Sequence, residues 1–134
     1  MIKVIDNFVN PAYYSAIEKN MQINFEWAWT PNITGGPIRD LDLDPKNLKL
    51  FGFSHMIFDS GTPMSPYYKF LLPLFLQASE EIDAKVLLRA RGDMTVFSEE
   101  QITYEPHIDM PRHKEHINMI LYLSLIHISE PTRP

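Results

Sequence analysis

The chain has 134 residues, a net charge of −5 and no cysteine, which fits one domain and excludes disulfide frameworks and thiolate metal sites. The negative charge argues against a nucleic-acid partner, because nucleic acids bind basic surfaces. No apolar run is long enough to span a bilayer, and the opening residues MIKVIDNF lack the pattern of a signal peptide. With 45% hydrophobic residues, the composition predicts a cytoplasmic protein with an apolar core and no membrane partner.

The first part of the chain predicts a strand, a helix and a long loop. Residues 2–5 (IKVI) have the composition of a short strand. Asn10 followed by Pro11 is typical of a helix start, because Asn caps a backbone N–H and Pro has none to lose. Residues 24–50 are rich in Pro, Gly, Asn and Asp, so we expect a surface loop with one strand at residues 25–29.

A second helix is expected after Ser65 and Pro66, which repeat the arrangement of the first helix start. Its apolar side chains recur at helical spacing and predict one buried stripe. The stripe consists of Tyr67, Phe70, Leu71, Leu74, Phe75, Ala78 and Ile82. Pro73 interrupts this pattern and should kink the helix or separate its first turn.

The remaining segments predict strands. Residues 51–59 alternate apolar and polar side chains, and residues 85–97 are expected to form a strand with a turn near Gly92 and Asp93. Residues 101–107 and 116–123 have strand composition as well. Helices followed by a run of strands favour an α+β fold over an alternating α/β fold.

One motif points to metal chemistry. On a strand, residues i and i+2 share a face, so His107 and Asp109 would aim an imidazole and a carboxylate at one point, with Ile108 facing away. Pro106 and Pro111 cannot donate to a sheet ladder, which puts this strand at a rim or an edge. Two such ligands and a third from elsewhere would form the 2-His-1-carboxylate triad of non-haem Fe(II) oxygenases. The alternative is a surface histidine beside a turn-forming aspartate.

The surrounding sequence resembles a known superfamily. QITYEPHIDMP resembles the YEPHxD segment of prolyl 4-hydroxylases and related 2-oxoglutarate, Fe(II)-dependent dioxygenases, and HINMILYLS resembles the strand that follows that motif. IKVIDNFVNPAYYSAIEKN resembles the opening strand and helix of short members. The resemblance covers residues 1–123 and is motif-specific only over 101–123. It implies N-terminal helices packed on a double-stranded β-helix, a jelly-roll or cupin-like sheet.

The resemblance also implies a set of ligands and a reaction. His107 and Asp109 would bind Fe(II), with 2-oxoglutarate and O2 as cosubstrates. L-ascorbate is a possible additional cofactor. The substrate would be a small molecule or a peptidyl side chain that is hydroxylated at a C–H bond.

Cosubstrate residues follow from the same resemblance. Tyr122 stands where family members place a hydroxyl on the distal carboxylate of 2-oxoglutarate, and Tyr104 would face the pocket or pack under the sheet. Phe97 stands nearest to a further cosubstrate tyrosine of the family, and it lacks the hydroxyl. Arg89 or Arg91 could meet an anion, because guanidinium suits carboxylates, or lie on a solvated strand face.

The end of the chain departs from the family pattern. SLIHISEPTRP resembles a peptide made when sequencing-adaptor DNA is translated in frame, so residues 124–134 are expected to be foreign to the domain of residues 1–123. A short native tail with a Glu-Pro turn is the alternative. On the first interpretation the sheet is incomplete, and the family's distal histidine and 2-oxoglutarate-binding arginine are missing, which leaves the chain inactive.

Two other functions fit the residues. One is a non-enzymatic jelly-roll or cupin-like binding module, in which His107 and Asp109 only form hydrogen bonds. The other is a zinc site built from these two residues with His113 and His116, although zinc prefers a closed tetrahedron and this spacing crowds the ligands on one loop.

Overall fold

The computed structural model describes residues 2–33, 50–96, 99, 107–113 and 115–123. In these residues the fold is α+β, with two helices and an open antiparallel sheet of four strands, which confirms the predicted class. The elements in chain order are α1 (Pro11–Ile23), β1 (Ala28–Thr30), β2 (Gly52–Asp59), β3 (Thr62–Pro63), α2 (Tyr68–Glu81) and β4 (Arg89–Thr95). Neither helix of this part of the chain is long and apolar enough to cross a membrane.

Helix α1 begins where the sequence predicts. The side chain of Asn10 accepts a hydrogen bond of 2.9 Å from the backbone N–H of Tyr13, and Pro11 is the first helical residue. One side of the helix then packs into the core, with Ile17 only 1% exposed and Tyr13 and Met21 in contact with the core cluster. The predicted N-cap is confirmed.

Helix α2 begins later than predicted. Ser65 Oγ accepts a hydrogen bond of 3.1 Å from the N–H of Tyr67, and the helix starts at Tyr68. Pro73 lies inside the continuous helix and does not separate its first turn, which was one of the two outcomes predicted for it. Its ring removes one N–H bond, to the carbonyl of the exposed Lys69, and water can satisfy that carbonyl.

Strand β2 is the centre of the sheet, because it pairs with all three other strands. Strand β4 lies antiparallel along its whole length. A strand has only two edges, so β1, opposite residues 52–54, and β3, opposite residues 58–59, share the other edge. The strand predicted over 51–59 is therefore confirmed, with both of its edges hydrogen-bonded.

An extra residue in β2 decides which of its side chains face the helices. Met56 lies opposite Arg91 and Phe58 lies opposite Ala90, so Ile57 is the additional residue of a β-bulge. Ile57 joins the helix-lined core at 5% exposure, and Phe58, at 8% exposure, stacks on a tyrosine of α2 with ring centroids 5.3 Å apart. Two consecutive residues thus pack on the same side.

The hairpin from β2 to β3 was not predicted. Ser60 and Gly61 connect the strands with φ angles of +47° and +87°, the two positive values that a type I′ hairpin turn requires. The N–H of Met64 extends the pairing with a bond of 2.9 Å to the carbonyl of Ile57. A Ser-Gly pair after an alternating strand is the sequence signal for this turn.

Three strand predictions differ from the structure. Residues 2–5 form no strand: Ile2 is 94% exposed, and Lys3 pairs instead with Glu81 of α2. Strand β4 passes through Gly92 without the predicted turn, because that residue pairs with β2.

The third difference concerns the last described segment, residues 116–123, which is not in a strand. Its backbone meets α1 instead of a strand edge, since the Tyr14 hydroxyl donates to the carbonyl of Tyr122 at 3.1 Å. Of the strand predicted over 101–107, residues 101–106 lie outside the described residues.

The core lies between the helices and one face of the sheet. Four buried residues form its centre: Ile17, Phe25, Ile57 and Leu71. The two helices are also joined directly, because the Tyr13 hydroxyl donates to the carbonyl of Phe70 at 2.8 Å and the two rings meet edge to face. Helices α1 and α2 therefore pack against each other on the same face of the sheet.

We expect Leu71→Ala to destabilise the fold by about 2–5 kcal/mol, because the side chain is 2% exposed and its removal leaves a cavity in the core. Leu76→Ala in the same helix removes a side chain that is 58% exposed, and it should change stability by no more than about 0.5 kcal/mol. Urea denaturation of both variants measures the difference, and equal effects would contradict this location of the core.

Candidate metal centre

The structure brings His107 and Asp109 together. His107 Nε2 lies 3.1 Å from Asp109 Oδ1, and the two side chains are 42% and 40% exposed. Ile108 between them is 69% exposed. The two polar groups therefore meet at the surface, where a small ligand could reach both.

A loop, and not a strand pleat, produces this approach. Residues 107–109 are irregular, and the turn that follows is closed by a 2.9 Å bond from the N–H of His113 to the carbonyl of Met110. Asn118 reaches back across the loop and donates its Nδ2–H to Asp109 Oδ2 at 2.7 Å. The carboxylate thus has one oxygen towards the imidazole and the other held by an amide.

The separation of the two side chains fits metal ligation. Ligand atoms about 2.1 Å from an octahedral cation and at right angles to each other lie about 3.0 Å apart. The observed distance of 3.1 Å between Nε2 and Oδ1 matches this value. It also matches a hydrogen bond from Nε2–H to the carboxylate, and a cation bound at the site would take the place of that proton.

The alternative zinc site is not assembled. His116 Nδ1 lies 2.7 Å from the carbonyl oxygen of His113, which engages one nitrogen of that imidazole with the backbone. Within the described residues, no group of three or more His, Asp or Glu side chains is arranged to hold a metal ion. The pair of His107 and Asp109 is therefore the part of the predicted centre that the structure brings together.

The two arginines of β4 lie on the sheet face opposite the helices. Ala90 packs on the core cluster, and a Cβ on Gly92 would lie 2.8 Å from the Met21 Cε, so these residues face the helices. Side chains alternate along a strand, so Arg89 and Arg91 point to the other face.

Each of these arginines pairs with a carboxylate. Arg91 Nε lies 2.8 Å from Asp93 Oδ1 and its Nη2 lies 3.0 Å from Oδ2, a two-point contact. Arg89 Nε lies 3.6 Å from Asp59 Oδ1. A cosubstrate carboxylate at Arg89, as the sequence predicts, would have to share that guanidinium with Asp59.

Of the two predicted cosubstrate tyrosines, the structure describes only Tyr122. The side chain of Tyr122 is 64% exposed, while its backbone carbonyl is bonded to Tyr14. Tyr104 and Phe97 lie outside the described residues. The cosubstrate roles of Tyr122 and Tyr104 remain predictions.

Sequence reasoning missed a histidine whose two ring nitrogens both have partners, one of them the buried Ser65. His55 Nδ1 lies 2.9 Å from the carbonyl oxygen of Glu26, and Nε2 lies 2.7 Å from Ser65 Oγ. A carbonyl only accepts, so Nδ1 carries the proton and, in the neutral ring, Nε2 accepts from the Ser65 hydroxyl. Ser65 Oγ accepts in turn from the N–H of Tyr67. Every polar atom of this chain of bonds has a partner.

Aromatic rings surround the imidazole of His55. The ring of Phe25 lies 4.3 Å away between centroids, and those of Tyr67 and Trp27 meet it edge-on at 6.3 and 6.5 Å. Ser65 is only 8% exposed, so its hydroxyl is not presented to a substrate. The group joins the segment before β1, strand β2 and the start of α2. Its sequence signal is a histidine on the strand face that also carries Ile57.

Removing the Ser65 hydroxyl should destabilise the fold. In Ser65→Ala, His55 Nε2 and the N–H of Tyr67 lose their shared partner, which costs about 1–3 kcal/mol when such groups stay buried. Ser79→Ala removes an exposed hydroxyl bonded to the carbonyl of Leu76 and should cost at most about 0.5 kcal/mol. Thermal unfolding of both variants measures this, and similar midpoints would show that the buried network contributes little.

Comparison with known proteins does not identify a family for this chain. No protein-family model, no curated protein and no solved structure matches the chain. The function is therefore inferred from the residues and their arrangement.

Proposed function

We propose that residues 1–123 form part of an Fe(II)- and 2-oxoglutarate-dependent oxygenase of the prolyl 4-hydroxylase-like group. In this proposal the helices pack outside a jelly-roll sheet, and His107 and Asp109 are two of the metal ligands. The observation that carries it is the 3.1 Å separation of Nε2 and Oδ1, the spacing of adjacent ligands on an octahedral cation. The YEPHID motif that contains both residues supports the same assignment.

The two side chains suit a divalent cation of borderline hardness. Asp109 supplies an anionic oxygen, and His107 supplies a neutral imidazole nitrogen once its proton is displaced. When bound, iron supplies the activation of O2 in which 2-oxoglutarate, O2 and a substrate C–H group become succinate, CO2 and an alcohol. Asp109 contributes only one negative charge to a divalent cation. The centre therefore keeps a net positive charge, which favours an anionic cosubstrate.

The cosubstrate would be held by groups outside the two ligands. We assign Arg89, Tyr122 and Tyr104 to it, on the resemblance described above. The polar sheet face of Arg89 supports part of this assignment, because the helices cover only the opposite face. The proposal also requires a third metal ligand, a histidine, and a basic residue for 2-oxoglutarate, which we place in the native sequence after residue 123. The 134-residue chain is then expected to bind metal weakly and to be inactive.

A binding module without catalysis is the second candidate. One observation favours it: both carboxylate oxygens of Asp109 already have a protein partner, His107 on one side and Asn118 on the other. In that case the pair is a hydrogen bond that stabilises the loop. The two candidates differ in whether a divalent cation binds at the pair.

Mn(II), which is detected by electron paramagnetic resonance and suits carboxylate ligands, is a suitable probe of the 134-residue chain. We expect weak binding that His107→Ala and Asp109→Ala each reduce by more than about tenfold, since loss of groups that only support ligands already costs about 10- to 100-fold. The titration of free Mn(II) signal against protein concentration gives the affinities.

His113→Ala is the matched control for this titration. His113 lies in the same loop, and its backbone carries the loop's hydrogen bonds, so its replacement should leave Mn(II) affinity unchanged. Absence of binding, or binding that does not respond to loss of His107, would refute the metal centre and leave the binding module.

Turnover is measured on the chain joined to its native continuation after residue 123. With Fe(II) and air it should convert 2-oxoglutarate to succinate, and His107→Ala should abolish the conversion because a ligand is lost. Retained succinate formation in that variant would contradict the ligand assignment. His113→Ala serves again as the control with unchanged turnover.

A further inference from the structure

We propose that Asn118 is a positioning residue of the metal centre, which holds the carboxylate of Asp109 in the orientation that offers Oδ1 to the cation beside His107. This inference rests on the proposed metal centre and goes beyond its ligands. Asn118 Nδ2 donates to Asp109 Oδ2 at 2.7 Å, while Oδ1 lies 3.1 Å from His107 Nε2.

The chemistry of the two groups fixes the direction of this bond. An ionised carboxylate only accepts hydrogen bonds, so the nitrogen of the Asn118 amide, and not its oxygen, must face Asp109. The terminal torsion of an aspartate side chain is broad. A donor on Oδ2 restricts this rotation and leaves Oδ1 as the oxygen directed at the imidazole. Such outer partners orient metal ligands and raise affinity.

The bond also connects the loop to the folded core. Asn118 lies in the segment that ends at Leu123, which packs on the core cluster, and Tyr122 is bonded to Tyr14 of α1. Asp109 itself lies at the surface, with 40% of its side chain exposed. The hydrogen bond from the Asn118 amide therefore holds the Asp109 carboxylate in a fixed position relative to the segment that packs on the core.

A role in ligand orientation makes a specific prediction for Mn(II) binding to the 134-residue chain. Asn118→Ala should weaken binding by about 10- to 100-fold, the usual effect of losing a partner of a metal ligand. Asn118→Gln keeps an amide donor on a longer side chain and should recover part of the affinity. Because Asn118 is exposed, both variants should keep the thermal midpoint of the parent chain.

Two further measurements separate orientation from a general structural effect. Asn24→Ala removes an exposed amide that donates to Asn20 on α1, and it should leave Mn(II) affinity unchanged. Co(II) bound to the chain should show a visible absorption spectrum that changes in Asn118→Ala, because the coordination of the carboxylate changes.

The outcomes distinguish this inference from the proposed function. If His107→Ala abolishes Mn(II) binding while Asn118→Ala leaves both the affinity and the Co(II) spectrum unchanged, the role of Asn118 is refuted and the metal centre stands. If the affinity falls only together with the thermal midpoint, and Asn118→Gln recovers neither, the role is refuted as well. If the parent chain binds no Mn(II), both proposals fail.

Discussion

One additional residue in strand β2 determines which of its side chains face the helices and which face the opposite side of the sheet. Before the bulge at Ile57, alternate residues such as His55 face the helices; after it, Phe58 does so. In a regular strand Phe58 would point to the opposite face and Asp59 would point to the core. The bulge instead buries both apolar residues and places Asp59 beside Arg89, so that the helix face is apolar and the other face carries the charges.

The candidate metal centre depends on a different part of the structure. The segment that follows the His-x-Asp loop is fixed by Leu123 on the core and by the bond from the Tyr14 hydroxyl to Tyr122. A tyrosine hydroxyl is protonated at neutral pH and can donate, and burial, followed by the Glu18 carboxylate, raises the pKa of Tyr14 further. The position of the loop is therefore determined by α1, and through it by the same core that holds the sheet.

Local signals in the sequence predicted local structure well. The Asn10 cap and the alternation of residues 51–59 each specify one element without help from distant residues, and both are confirmed. Residues 116–123 have strand composition, but a strand also requires a partner edge, and in the described residues this segment meets α1 instead. The bulge at Ile57 could not be predicted, because it reflects how two helices and β4 pack on one strand.

In the candidate site, too, local sequence predicted some residues, whereas contacts between distant segments could not be predicted. The His-x-Asp motif identified two side chains that do meet, although through a loop and not through a strand pleat. Asn118 could not be found in this way, because nine positions along an irregular loop carry no fixed spacing. Nor could the partners of His55, since Glu26 and Ser65 approach it only after β1, β2 and α2 have packed. Contacts that need the tertiary fold are the ones that pattern reasoning misses.

The exposure of His107 and Asp109 constrains how the proposed metal centre would work. Oxygenase chemistry requires that water be kept from the reacting atoms, yet 42% of the His107 side chain and 40% of the Asp109 side chain are exposed. In the proposed oxygenase, the exclusion of water would therefore have to come from the cosubstrate and the substrate bound next to the two side chains. What the described residues contribute is orientation: an imidazole and a carboxylate at the spacing of adjacent ligands, with the second carboxylate oxygen already held by Asn118. A centre oriented in advance in this way needs less rearrangement when a cation binds, which is how an exposed pair on a loop can still select a defined geometry.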